Sequence, residues 1–423
     1  MIKKLLFSVL FIAAAMLPLC ACTQINVDER PDDPEDSKAE LEYELTADKS
    51  GYVVSQADYG DTAEVPASYN GMPVVGIDNF AFSYSNVRSV TIADGVHYIG
   101  QYAFQNCYEL EEVTLPESIT SIGNYAFFEC FELAKINLPE GIEEIATNCF
   151  NSTAIEEIAL PSTVKRIGDR AFENCNFLAE INFPEGLVSI GDSAFAGCNS
   201  IIRVDFPESL ENIGNNAFEN CYDLNYAEMN EGLESIGDYA FAGSGILNAR
   251  IPSTITELGE RAFKDCNKLR SVTLPDIKEI PEKTFSGCNN LVDIALSTET
   301  ERIGEGAFEY CGSLVSITIP AATEYIGKSA FANCERLTDI TIPAAVGYIG
   351  EGAFENCLNL NSVIFEEPEG WFYGNYIAHE IELDMGDPQL IAKHFSGAVD
   401  TKWEDFVLVR EGIYREGYEP FED

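Results

Sequence analysis

Phenylalanine recurs at Phe82, Phe104, Phe127, Phe150, Phe172, Phe195, Phe218, Phe241, Phe263, Phe285, Phe308, Phe331 and Phe354, a step of 22 or 23 residues each time. A fixed period in the range of about 20 to 50 residues marks a solenoid, in which one small unit is stacked on copies of itself and buries its apolar side against its neighbours. Thirteen such units occupy most of the 423-residue chain.

Written over residues 110–130, the unit reads L-x-x-V-x-L-P-x-x-I-x-x-I-G-x-x-A-F-x-x-C, and its apolar set is Leu110, Val113, Leu115, Ile119, Ile122, Ala126, Phe127 and Cys130. The alternation around Val113 and Leu115 predicts a short strand that points these two residues inward and Glu112 and Thr114 to water. Pro116, which has no amide hydrogen, ends that strand. The Ile122-Gly123 step predicts a second turn, where glycine supplies a positive φ or a close approach between coils. Equivalent strands in successive coils must pair in parallel, giving one sheet face about 60 Å long at roughly 4.8 Å per coil.

The pattern I-G-x-x-A-F-x-x-C followed by L-x-x-[IV]-x-[IL]-P resembles the bacterial leucine-rich repeat of the BspA type, over roughly residues 41–410. The fold class expected is therefore a leucine-rich repeat solenoid of about thirteen repeats with capped ends. Its divisions are a signal peptide (1–21), an acidic tether (22–40), an N-terminal cap (41–75), the solenoid (76–366) and a C-terminal cap (367–423). The segment Pro66 to Val74 resembles the family's lead-in, and Trp371, Asp387-Pro388, Ala392 and Trp403 resemble its closing segment more loosely. The resemblance implies an adhesin-like role, since members of the group attach to host matrix proteins or to other bacteria.

Lys3 and Lys4, the apolar run Leu5 to Leu19 and the sequence Leu19-Cys20-Ala21-Cys22 have the layout of a bacterial export signal ending in a lipobox, with Cys22 as the lipid acceptor. The run is too short to span a bilayer comfortably. Eight acidic residues between Asp28 and Glu42, with two prolines, predict a tether that does not fold. Loss of Lys3 and Lys4 takes the formal charge from −46 to −48. Such a field excludes nucleic acid and anionic lipid faces as direct partners. The expected location is the bacterial cell surface, with membrane contact through the lipid alone and the chain monomeric.

Of thirteen cysteines, ten stand three residues after the repeat phenylalanine: Cys107, Cys130, Cys175, Cys198, Cys221, Cys266, Cys288, Cys311, Cys334 and Cys357. Ser85, Thr153 and Ser244 replace them in repeats that are one residue shorter at this turn. Cysteine thus tracks turn length, as a packing role predicts. In a parallel stack these thiols point the same way about 4.8 Å apart, whereas a disulfide requires converging Cβ atoms near 3.8 Å. A buried ladder of free thiols is expected, with Cys149 in the core beside it.

Enzyme signatures are poor. His97, His379 and His394 form no nucleophile, base or zinc pattern, and Leu383 stands where a zincin helix would carry its second histidine. No cofactor, catalytic residue or metal site is expected. The outward strand positions are the candidate ligand face, and its charged centre is Glu157, Glu180, Arg203, Asp205, Tyr226, Glu228 and Arg250. Arginine and tyrosine are favoured at hot spots, although cross-strand charge pairing would also account for the cluster. The partners expected are host or bacterial surface proteins, with glycans as the alternative. For glycans, Trp371, Phe372, Tyr373, Tyr376 and Trp403 offer a stacking platform, unless these rings close the end of the core.

Overall fold

The computed structural model describes residues 37–369, 371–373, 381–383, 387–396 and 408–410. The export signal, Cys22, most of the acidic tether, His379, Tyr376 and Trp403 lie outside the described residues. No helix among the described residues is long and apolar enough to cross a membrane.

The chain is a parallel β-solenoid. The strand Glu112–Thr114 has the exposed, buried, exposed pattern that its alternation predicts, and Glu157–Ala159, Glu180–Asn182, Arg203–Asp205 and Asn248–Arg250 repeat it. One further coil precedes the first repeat phenylalanine, because Tyr52–Ala57 and Thr62–Val65 already pair in parallel with the coil that follows. Its outer edge is the strand Leu41–Leu45, antiparallel to Tyr52–Ala57.

Two expectations change. At the Ile-Gly position, read from the sequence as a turn, a second strand closes each full coil, including those where Ala146 or Pro281 stands for the glycine. Glu144–Ile145 to Glu257–Leu258 form a continuous six-stranded parallel ladder of such pairs. A two-residue strand is too short for alternation to reveal it. The first ladder, expected to run unbroken, is instead divided among sheets of four, two, two, three and two strands. Shortened repeats lie at two of the four breaks, at Thr153 and Ser244. The breaks before Arg203 and Ser316 have none, and nothing in the structure explains them.

Of the two roles open to the Ile-Gly glycines, close approach is the one observed. None of the ten glycines at this position, nine after isoleucine and Gly259 after Leu258, adopts a positive φ. A Cβ on Gly123 would lie 2.6 Å from the Gln101 backbone nitrogen, and one on Gly214 would lie 2.7 Å from that of Asp192. Gly214→Ala therefore forces two coils apart and is expected to cost about 1–3 kcal/mol, read as a lower urea midpoint. Positive φ falls two residues before and two after each repeat phenylalanine, as at Ser193 (55°) and Gly197 (74°) around Phe195. These paired left-handed residues turn the chain so that the phenylalanine enters the core.

The core is a column of rings. Successive phenylalanines from Phe82 to Phe354 stack with centroids 4.6 Å apart at the first pair and 5.3 Å at the last. On the turn side the N–H of each repeat phenylalanine from Phe82 to Phe331 donates to the next coil, as Phe195 N does to Ala217 O at 2.8 Å. The helix Pro388–Phe395 ends the column by stacking Phe395 on Phe354 at 5.3 Å. Trp371 is buried, meets Phe365 edge to face at 5.0 Å, and its Nε1–H donates to Glu367 O at 3.0 Å. Its ring is thus part of the closing core and offers no stacking surface to a sugar.

Candidate ligand-binding face

The first-strand ladder exposes alternate residues on one side of every coil. Glu157 and Ala159 sit opposite Glu180 and Asn182, and Arg203 and Asp205 sit opposite Tyr226 and Glu228. Asn248 and Arg250 pair with Ser271 and Thr273. All seven candidate residues are exposed, with Tyr226 at 53 %. They do not share one sheet: Glu157 and Glu180 lie on one ladder, Arg203, Asp205, Tyr226 and Glu228 on a second, and Arg250 on a third.

Within the central ladder the Arg203 guanidinium holds Asp205, with Nε donating to Oδ1 at 2.8 Å. That hydrogen bond raises the Arg203 pKa, so the guanidinium stays charged at any pH of interest. Arg250 approaches Glu231 at 3.7 Å. Both pairs are exposed, and pairs of this kind contribute little to stability. The contacts of Glu157 with Glu180 and of Asp205 with Glu228 are like-charged neighbours across a ladder, which disfavours the sheet. The face is therefore a charged surface whose carboxylates outnumber its guanidinium groups. Beyond Ser271 it becomes small and hydroxylated, with Thr273, Ala295, Thr318 and Thr341 outward.

Behind this face runs the thiol column. The ten repeat cysteines are buried and free. Each Sγ–H donates to the phenylalanine carbonyl one coil back, from 2.9 Å for Cys107 to Phe82 O to 3.3 Å for Cys311 to Phe285 O. Sequence spacing did not anticipate this bond. In the shortened repeats hydroxyls stand in: Thr153 Oγ1 lies 3.3 Å from Cys175 Sγ and Ser244 Oγ 3.4 Å from Cys266 Sγ. Burial raises the thiol pKa values of the repeat cysteines from Cys130 to Cys357, to about 11 at Cys175 and about 12 at Cys221 and Cys266, so these are inert at neutral pH. Cys149, in the place of the usual alanine, is buried as well.

His97 is exposed, its Nδ1 3.2 Å from Ser118 O. No group of three His, Cys, Asp or Glu side chains among the described residues could hold a metal ion. A surface that the sequence reading missed is aromatic: Phe80, Tyr102 and Tyr125 stack on the turn side of the first coils. Its signal was a fixed offset, two residues before the repeat phenylalanine.

The family model for the BspA type leucine rich repeat region matches six copies over residues 75–158, 143–270 and 256–369. A leucine-rich repeat protein from Bacteroides ovatus ATCC 8483 is 31% identical with a TM-score of 0.66, over 79% of this chain and 94% of that one. A leucine rich cell surface protein from Faecalibacterium prausnitzii A2-165 is 22% identical with a TM-score of 0.37, over 79% of this chain and 96% of that one. No curated protein matches the sequence. With repeat, ladder and family model in agreement over most of its length, the chain belongs to the BspA-type leucine-rich repeat family.

Proposed function

We propose that the chain is an exported, lipid-anchored surface protein that binds a protein partner through its exposed strand face and performs no chemistry. The observation that carries this reading is the central ladder, where Arg203, Asp205, Tyr226 and Glu228 stand outward in register on a rigid scaffold. Tyrosine loses little entropy on ordering, and arginine and tyrosine are among the types that dominate hot spots. The strongly negative chain favours a partner with basic patches, which the carboxylates would steer into place. Fold alone does not choose a ligand. Attachment to host matrix proteins or to other bacterial cells, the adhesin-like role, fits a flat polar face better than glycan capture at Trp371, whose ring is buried.

The test is saturable binding of the mature chain to immobilised matrix and surface proteins at physiological salt. Arg203→Ala and Tyr226→Ala are each expected to weaken the hit by about 2 kcal/mol, roughly 30-fold in Kd. An affinity that neither substitution changes would move the site off the central ladder. Binding to polysaccharides alone would replace the adhesin reading with glycan capture.

A further inference from the structure

The turn side does not carry the same surface from one end to the other. In the first three coils, Phe80, Tyr102 and Tyr125 form one column, with centroids 4.9 and 4.8 Å apart. Tyr84, Tyr108 and Phe131 form a second, at 6.4 and 5.5 Å. Phe80 is 57 % exposed, Tyr84 65 % and Phe131 50 %, so these rings leave apolar area in water after stacking. Further along, the offset of the first column holds Asn148, Arg170, Ser193 and Asn216 before a single ring at Tyr239, and that of Tyr108 and Phe131 holds Asn176, Asn199, Asn267 and Asn289 with a single ring at Tyr222. Isolated exposed rings recur at Phe177, Tyr222 and Tyr310, but among the described residues rings at these offsets stack on one another in consecutive coils at the end where the chain arrives from residues 1–36.

That placement says what covers it. A lipid on Cys22 lies fifteen residues before Ser37, a reach of at most about 50 Å. The first coils fall well inside this reach. The far end of the solenoid lies about 60 Å further along the stack, so the anchor itself brings the first coils, and not the last, to the bilayer. Phenylalanine and tyrosine, with apolar bodies and, for tyrosine, a polar tip, favour the boundary between acyl chains and headgroups. The anchored chain, without Lys3 and Lys4, carries a formal charge of −48 and is repelled by an anionic leaflet, so the surface that fits is uncharged, of the phosphatidylcholine or phosphatidylethanolamine kind.

We propose that the aromatic patch of the first three coils docks on an uncharged phospholipid interface, laying the anchored end of the solenoid on the bilayer and leaving the strand face, on another side of each coil, open to a partner. The proposal rests on the lipid-anchor reading above and departs from the expectation that the lipid alone touches the membrane.

The experiment uses the full lipidated chain in phosphatidylcholine vesicles, with a reporter introduced by Tyr108→Trp or, in a distal coil on the same side, by Tyr310→Trp. Fluorescence of the parent chain is subtracted. Lipids brominated on the acyl chains are expected to quench the reporter at position 108 at least about threefold more than the one at 310, and added phosphatidylglycerol is expected to reduce that quenching at low salt. Equal quenching at both positions, or none at 108, overturns the proposal. Intact mass separates the two readings: a chain without the diacylglyceryl group defeats the anchor, whereas a lipidated chain with an unquenched reporter defeats only the docking surface. An unquenched chain that binds polysaccharide and loses it on Tyr84→Ser would assign the patch to glycans instead and likewise overturn the docking proposal.

Discussion

Phe195→Ala is expected to cost about 3–5 kcal/mol, the range for a phenylalanine removed from a core that cannot collapse. The Phe195 ring is fully buried and stacks on both neighbours, 5.3 Å from Phe172 and 5.2 Å from Phe218. It also meets Phe183 edge to face at 5.7 Å. The hole left by alanine cannot close, because the second-strand ladder and the turn-side backbone bonds hold the coils above and below at their spacing. In a stack where each coil touches only its neighbours, the loss falls on two interfaces, so the array should melt in two parts that separate near this coil. Hydrogen exchange would show it: amides from Phe172 to Phe218 should lose protection ahead of those near Phe308. A substituted chain with the melting temperature of the parent would refute the ring column as the source of stability.

Mild alkali is expected to unfold the protein steeply. Burial raises the pKa of ten cysteines, Cys149 and nine repeat cysteines from Cys130 to Cys357, reaching about 12 at Cys357. In the unfolded chain each thiol ionises near its ordinary value of about 8.5. Below that pH both states hold the proton and the stability is intact. Above it the unfolded chain releases protons that the folded chain keeps until about pH 11 to 12, so stability falls as pH rises. One such thiol contributes a slope of about 1.4 kcal/mol per pH unit, and ten together reach the order of 10 kcal/mol per unit. Urea midpoints under reductant should therefore hold from pH 6 to 8 and collapse between 9 and 10. Cys221→Ala should make the slope shallower by one thiol's share. A flat profile to pH 10, or no new maleimide-reactive thiols on unfolding without reductant, would mean that the column is not a stack of protonated thiols.

Much of this molecule is written in its sequence. The period fixed the solenoid, the alternation about Val113 and Leu115 fixed which strand residues face water, and the link between cysteine and turn length placed the thiols inside. These features repeat because every coil solves the same packing problem, so thirteen copies average away local exceptions. Three matters needed the tertiary structure. The second strand at Ser121–Ile122 exists only because the coils on either side supply its partners, and two residues have no intrinsic strand signal. The glycines after the second strand could have served a positive φ or a close approach, and only the 2.6 Å that a Cβ on Gly123 would leave to the Gln101 nitrogen chooses between them. The fate of the aromatic residues turned on burial. Trp371 went into the closing core, while Tyr84 and Tyr108 stayed in water, because the cap seals one end of the ring column and the turn side of each coil has no layer above it. Residue type gave both groups the same promise, and only their position relative to the stack separated packing from surface.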